Sequence, residues 1–241
     1  MPNKIDPKLL ESIPDLPIED QKEILDLLES LEDAEKKERA REEFMGFVNY
    51  VWPAFIEGRH HKIMANAFER VANGELKRLI INMPPRHTKS EFASYLLPAW
   101  FLGKYPEKKI IQTAHTAELS VGFGRKVRNL VDSEDYKTVF PNLGLRSDSK
   151  AAGRWSTSKN GEYFAIGVGG AVTGKGADLL IIDDPHSEQE GQSADAGVFD
   201  RVYEWYTSGP RQRLQPGGAI IVVMTRWHKR DLTGQIVKSS V

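Results

Sequence analysis

Five short apolar runs recur along this chain, and each ends in polar residues. They cover Arg78 to Met83, Lys109 to His115, Glu162 to Val168, Leu179 to Asp183 and Ala219 to Thr225. Each has strand length, and the segments between them are long enough for helical crossovers, near Lys89 to Leu102, Ala117 to Val131 and Val198 to Thr207. That alternation predicts an α/β fold with a mostly parallel central sheet flanked by helices. Ligands in such sheets bind at the carboxyl ends of the strands. The polar residues that end the runs fall there.

Ahead of this region, Pro2, Pro7, Pro14 and Pro17 interrupt any helix, so residues 1–18 read as an irregular lead. From Ile18 to about Val51 one long helix is expected, with Ile24, Leu27, Leu28 and Leu31 as a narrow apolar stripe. HHKIMANAFERVANG predicts a second amphipathic helix, with Gly74 as its stop. The organisation expected is a lead and acidic helical arm over 1–52 and a nucleotide-binding domain over 53–241. DLTGQIVKSSV is helical in pattern and has no terminal cap, which is expected of a fragment.

Charge divides the same way. Residues 1–45 hold 14 acidic and 7 basic residues, so this part carries −7 within a chain of net charge −1, and the remainder carries +6. A modestly basic core tolerates nucleic acid without demanding it. The chain has no cysteine, which excludes disulfides and thiolate metal sites. No stretch approaches the roughly 20 apolar residues that span a bilayer, so a soluble protein without a membrane partner is expected.

The chemistry concentrates in RLIINMPPRHTKS and LLIIDD. Against the phosphate-loop pattern G-x-x-x-x-G-K-[ST], Lys89 and Ser90 match, while Met83 and Thr88 occupy the glycine positions. The loop follows a strand and opens a helix, whose N-terminus is itself favourable to anions. Pro84, Pro85, Arg86, His87, Thr88, Lys89 and Ser90 would therefore line the phosphates. LLIIDDPH sets Asp183 and Asp184 at the tip of a strand apolar enough to be buried on both faces. The first carboxylate would hold magnesium together with Ser90, and the second would orient the attacking water. AIIVVMTRWHKRDL adds Thr225 at a third strand tip, where it could sense the γ-phosphate, with Arg226 to pass the change onward.

Taken in order, GRHHKIM, NMPPRHTKS, GGAVTGKGADLLIIDDPH, WYTSGPRQRL and VVMTRWHKRDL resemble the ATPase half of the large terminase subunit of tailed bacteriophages, the motor that packages DNA into procapsids. The resemblance implies a P-loop NTPase of the ASCE/RecA-like type that uses ATP and Mg²⁺. It implies Lys89 on the β- and γ-phosphates, Arg86 as a further phosphate contact, Asp184 as the catalytic carboxylate and Thr225 as the coupling residue. His60, His61 and Lys62 stand where that family recognises adenine, so His61 is a candidate base contact, although no glutamine occurs there. Glycine is common in the family where Thr88 stands, and glutamate where Asp184 stands.

The resemblance further implies double-stranded DNA, a portal protein and a small terminase subunit as partners. It implies a homo-oligomeric ring on the procapsid, monomeric in isolation, in the host cytoplasm. The cation completing a neighbour's site could be Lys175, Arg154 or Arg213, and Arg125, Lys126 and Arg128 offer one helical face to a DNA backbone. No nuclease centre is expected within this stretch. Two other readings fit the residues: a nucleotide-binding assembly module with little turnover, and a helicase-like translocase, which would need a second motor domain.

Overall fold

The structure is a computed structural model that describes residues 13–192 and 197–239. Among these residues, seven strands form one sheet: β1 (Arg78–Asn82), β2 (Lys109–Ala114), β3 (Leu145–Ala151), β4 (Arg154–Thr157), β5 (Glu162–Gly167), β6 (Ala177–Asp183) and β7 (Leu214–Met224). Their order is β1-β7-β6-β2-β5-β4-β3. The five expected strands are all present and pair in parallel. Two strands were not expected. β3 and β4 extend the sheet as an antiparallel hairpin, with β4 antiparallel to β5. Their sequences, LRSDSKA and RWST, lack the apolar alternation that marks a half-buried strand.

Strand register aligns the site. Asp183 lies beside Ala114 on one flank and Val223 on the other, while Asn82 lies beside Met224. The loops leaving β1, β6 and β7 therefore emerge next to one another.

Both faces of the sheet are covered, as its unbroken apolar runs require. Successive side chains on a strand point to opposite faces. Leu179, Ile181, Ile221 and Val223 accordingly join one core, and Leu180, Ile182, Ile220 and Val222 the other. The first core lies under α2 (Phe44–Val51), α3 (Arg59–Ala72), a π-helical segment at Glu91–Leu96, α4 (Leu97–Lys104) and α5 (Ala117–Val131). The second takes Val202 and Tyr206 from Gly197–Ser208 and Leu232 from the helix Leu232–Ser239.

The single helix expected from Ile18 to about Val51 is in fact two. α1 (Ile18–Glu42) ends where Glu43 turns extended (φ −109°, ψ 132°), and α2 starts in a new direction. No glycine or proline marks the break. The gain lies in packing: Phe44 meets Phe68, Phe92 and Trp100 edge to face at 5.4, 5.5 and 5.6 Å. Burying one such ring contributes about 1.5–3 kcal/mol. The Phe44 amide, freed by the break, donates to Glu69 Oε1 at 2.8 Å. On α1 the stripe is only partly used, with Ile24 and Leu28 half-buried and Leu27 and Leu31 exposed.

α3 stops at Ala72, and Gly74 follows with φ +80°, as expected of a glycine stop. The irregular lead lies mostly outside the described residues, and its end holds a short 3-10 turn at Ile13–Asp15. Among the described residues no helix is long and apolar enough to cross a membrane.

Candidate active site

The site grows from the carboxyl ends of β1, β6 and β7. β1 enters the loop through Met83, whose amide donates to Met224 O at 3.2 Å and whose carbonyl accepts from Thr225 Oγ1 at 3.2 Å. Both backbone polar groups of Met83 are thus tied to the end of β7. The chain then turns through two left-handed residues, Arg86 (φ 64°) and Thr88 (φ 59°), before the helix begins at Lys89. A left-handed residue other than glycine costs about 1–2 kcal/mol. At Thr88 this strain sits at one of the glycine positions of the phosphate-loop pattern. The loop has the conformation that glycine serves, without the glycine.

Arg86 and His87 are exposed on the loop, and His87 Nδ1 donates to Pro85 O at 2.9 Å. Arg86, Thr88, Lys89, Ser90 and Glu91 line a depression of about 260 Å³. This is small, open space at a helix N-terminus, of the kind that accepts a phosphate.

Lys89 is buried and its Nζ lies 2.7 Å from Asp184 Oδ2. Asp184 itself is left-handed, with φ 38°. Its amide donates to Val223 O at 2.9 Å, and its Oδ1 accepts from the Thr225 amide at 2.7 Å. Asp184 therefore touches Lys89 with one oxygen and the tip of β7 with the other. Thr225 touches both the start of the loop and this carboxylate.

Asp183 is its neighbour in sequence but not in environment. It is 2% exposed, and its two oxygens accept from Ser90 Oγ at 2.9 Å and Ser94 Oγ at 2.7 Å. Ser94 lies in the π-helical segment and receives a bond from Gln112 Nε2 at 2.9 Å, from the middle of β2. Burial pushes the Asp183 carboxyl up to about 7, with the charge of Asp184 adding to the rise and Ser94, Ser90 and Lys89 opposing it. A divalent cation would relieve that burial cost, since it favours the charged carboxylate.

The donors present fit magnesium. A serine hydroxyl and a carboxylate 2.9 Å apart are hard oxygen ligands. Among the described residues no group of three or more His, Cys, Asp or Glu side chains gathers. Magnesium commonly binds through one or two protein ligands together with substrate phosphates, rather than in an all-protein cage.

Ser94 and Gln112 were not anticipated. The signals were present: a serine one helical turn after Ser90, and a glutamine inside the otherwise apolar run KIIQTA. Asp231 was also missed. It is fully buried and gathers Arg226 Nε and the amides of Trp227, His228 and Gly234, which fixes the turn that follows Thr225.

His61 is 5% exposed, with both ring nitrogens bonded inside the protein, to the Gly58 amide and to Thr88 Oγ1. Lys62 pairs with Glu57 at 2.8 Å. Lys175 pairs with Glu162 at 3.3 Å, at the amino end of the sheet. Arg213 leads into β7 at that same end, and Arg154 opens β4. On α5, Arg125 and Lys126 are exposed, but Lys126 bonds Glu91 at 2.7 Å and lies over the rings of Tyr95 and Phe123. Arg128 bonds Asn129 Oδ1 at 2.9 Å.

No family model matches the sequence, and no curated protein matches it. Among solved structures, the chain is similar to the crystal structure of the HK97 bacteriophage large terminase, with 17% identity, a TM-score of 0.49 and 77% of this chain covered. The chain spans 38% of that protein's length.

Proposed function

We propose that this chain is the ATPase domain of a viral DNA-packaging motor. The observation that carries the nucleotide reading is the meeting of three strand tips: Lys89 on Asp184, Ser90 on Asp183 and Thr225 on both the loop and Asp184. β7 stands between the phosphate-loop strand β1 and the acidic strand β6, an order that supports the ASCE/RecA-like type of P-loop fold. The packaging role rests on the order of sequence motifs, from GRHHKIM to VVMTRWHKRDL.

On this reading the loop amides, Arg86 and Lys89 bind the phosphates, and Lys89 leaves Asp184 for the β- and γ-oxygens. Asp184, released from the lysine, accepts a hydrogen bond from water and orients it toward the γ-phosphorus. Ser90 and Asp183 would hold Mg²⁺, which neutralises charge developing on the phosphates. Thr225 bridges the loop and the carboxylate, so loss of the γ-phosphate changes what its hydroxyl and amide bond to. Arg226, locked on Asp231, carries that change into the helix Leu232–Ser239. Double-stranded DNA, a portal protein and a small terminase subunit are the partners, and a ring of identical chains is the working assembly.

The test is ATP turnover by purified protein with Mg²⁺, beside Lys89→Ala. Loss of a buried phosphate-binding charge predicts a fall of roughly 10²–10³-fold or more. Turnover unchanged by Lys89→Ala would remove the assignment. The strain at Thr88 favours a second reading, a nucleotide-binding module with little turnover. Calorimetric binding of ATP without hydrolysis, even with DNA present, would select it.

A further inference from the structure

We propose that His61 is a positioning residue that holds the phosphate loop in its left-handed turn at Thr88, so that a histidine and a threonine together do what a glycine does elsewhere. The inference rests on the reading of residues 83–90 as a nucleotide phosphate loop.

Thr88 is β-branched and left-handed at φ 59°, a combination that persists only when surrounding contacts impose it. The contacts are present. Gly58 N donates to His61 Nδ1 at 2.8 Å, so Nδ1 is the acceptor and the ring proton lies on Nε2. Nε2 lies 2.5 Å from Thr88 Oγ1, and the Thr88 hydroxyl spends its own proton on His87 O at 2.6 Å. One chain of donors thus runs from the start of α3, through the ring and hydroxyl, to the loop backbone. Glycine offers no hydroxyl to grip.

The ring is held as firmly as its bonds. Phe55 lies edge-on to it at 4.7 Å and Phe92 packs at 4.9 Å. Phe92 belongs to the helix that the loop opens, and its amide donates to Thr88 O at 2.9 Å. His61 therefore reaches Thr88 twice, once through the hydroxyl and once through Phe92. Burial, then the neighbouring His60, lowers the His61 pKa and keeps the ring in the neutral form that this bonding needs. A second ring proton would set Nδ1–H against Gly58 N–H.

A four-member cycle tests the pair: wild type, His61→Phe, Thr88→Gly and the double variant. His61→Phe keeps an aromatic ring in the packing and removes both bonds; His61→Ala serves if phenylalanine does not fit. Binding of Mg²⁺ with a non-hydrolysable ATP analogue is measured by calorimetry, and stability by urea unfolding. In the wild-type background, losing His61 is expected to weaken analogue binding roughly tenfold. Alongside Thr88→Gly the same change should cost less than about twofold, because the turn no longer needs the latch. His61→Gln, which can accept from Gly58 and donate to Thr88, should recover most of the affinity.

Equal losses in both backgrounds, or no loss in either, would overturn the proposal, since a merely structural histidine is indifferent to Thr88. If no member of the set binds the analogue, the phosphate-loop reading fails, and the unfolding cycle then judges the latch alone. A larger drop in urea midpoint on losing His61 from the wild type than from Thr88→Gly supports it, and additive drops overturn it.

Discussion

The two ends of the parallel strands are built by opposite rules. At the amino end, left-handed positions are held by Gly74, Asn160 and Gly217, residue types that adopt them at little cost. The charges there are paired and half-solvated: Lys108 with Asp178 at 2.8 Å, and Lys109 and Lys175 with Glu162 at 3.2 and 3.3 Å. Burial alone would raise Glu162, and its two lysines overcome this and hold it below its ordinary range. At the carboxyl end the left-handed residues include Arg86 and Thr88, types that adopt this region only at a cost, and a buried carboxylate rises instead of falling. Strain and the cost of a buried carboxyl therefore collect at one edge of an otherwise relaxed sheet. Strained backbone clusters at ligand sites in general, which accords with the proposed function of this edge.

Among changes that spare both the loop at residues 83–90 and the paired carboxylates, Ser94→Ala strikes the strained end hardest. Removing a hydrogen bond to a buried carboxylate should lower kcat/KM for ATP by roughly tenfold or more, and shift the Mg²⁺ dependence to higher concentration. Steady-state kinetics across a magnesium series would read both. A change in neither would mean that the chain from Gln112 through Ser94 to Asp183 has no part in the proposed metal site.

The rise of Asp183 has a signed consequence for stability. Its folded value of about 7 lies above the ordinary 3.8, so the folded protein binds the proton more tightly than the unfolded chain. Its contribution to stability is full below about 3.8 and is lost as pH rises toward about 7. Urea unfolding of the metal-free protein across that range, beside Asp183→Asn, isolates the effect from the other carboxylates. The wild type should lose stability relative to the variant as pH rises. A constant difference would contradict the burial of this group.

The smallest effect is predicted at the relaxed end. Lys108→Ala removes an ion pair whose lysine is half-exposed, while Asp178 keeps its bond from the Lys109 amide at 2.8 Å. The cost should stay below about 1 kcal/mol by denaturant unfolding, with ATP turnover unchanged. A large loss of turnover would dissolve the contrast between the two ends.

Much of this contrast was legible in the residues. Apolar runs are read easily when both strand faces are buried, which is why β1, β2, β5, β6 and β7 were expected where they lie. The polar tips followed from the same runs, and so did the meeting of Lys89, Ser90, Asp183, Asp184 and Thr225. The hairpin of β3 and β4 escaped because its anchors are few and not all apolar: in RWST they are Trp155, stacked on Tyr163 at 5.0 Å, and the buried Thr157, whose hydroxyl donates to Pro106 O at 2.6 Å. The break at Glu43 escaped because its cause is tertiary, the reach of Phe44 toward Phe68, Phe92 and Trp100. Ser94 and Gln112 were visible as polar residues in apolar settings, but their meaning depends on which strand lies beside which. His61 was read by its place in the chain, and the ring's actual partners come from the packing of α3 against the loop.

The proposed hydrolysis at the carboxyl edge is tested most directly at Asp184. Purified protein with Mg²⁺ and ATP should release phosphate, and Asp184→Asn should bind the nucleotide with similar affinity while turnover falls by roughly 10²-fold or more. Turnover by Asp184→Asn at the wild-type rate would contradict the account.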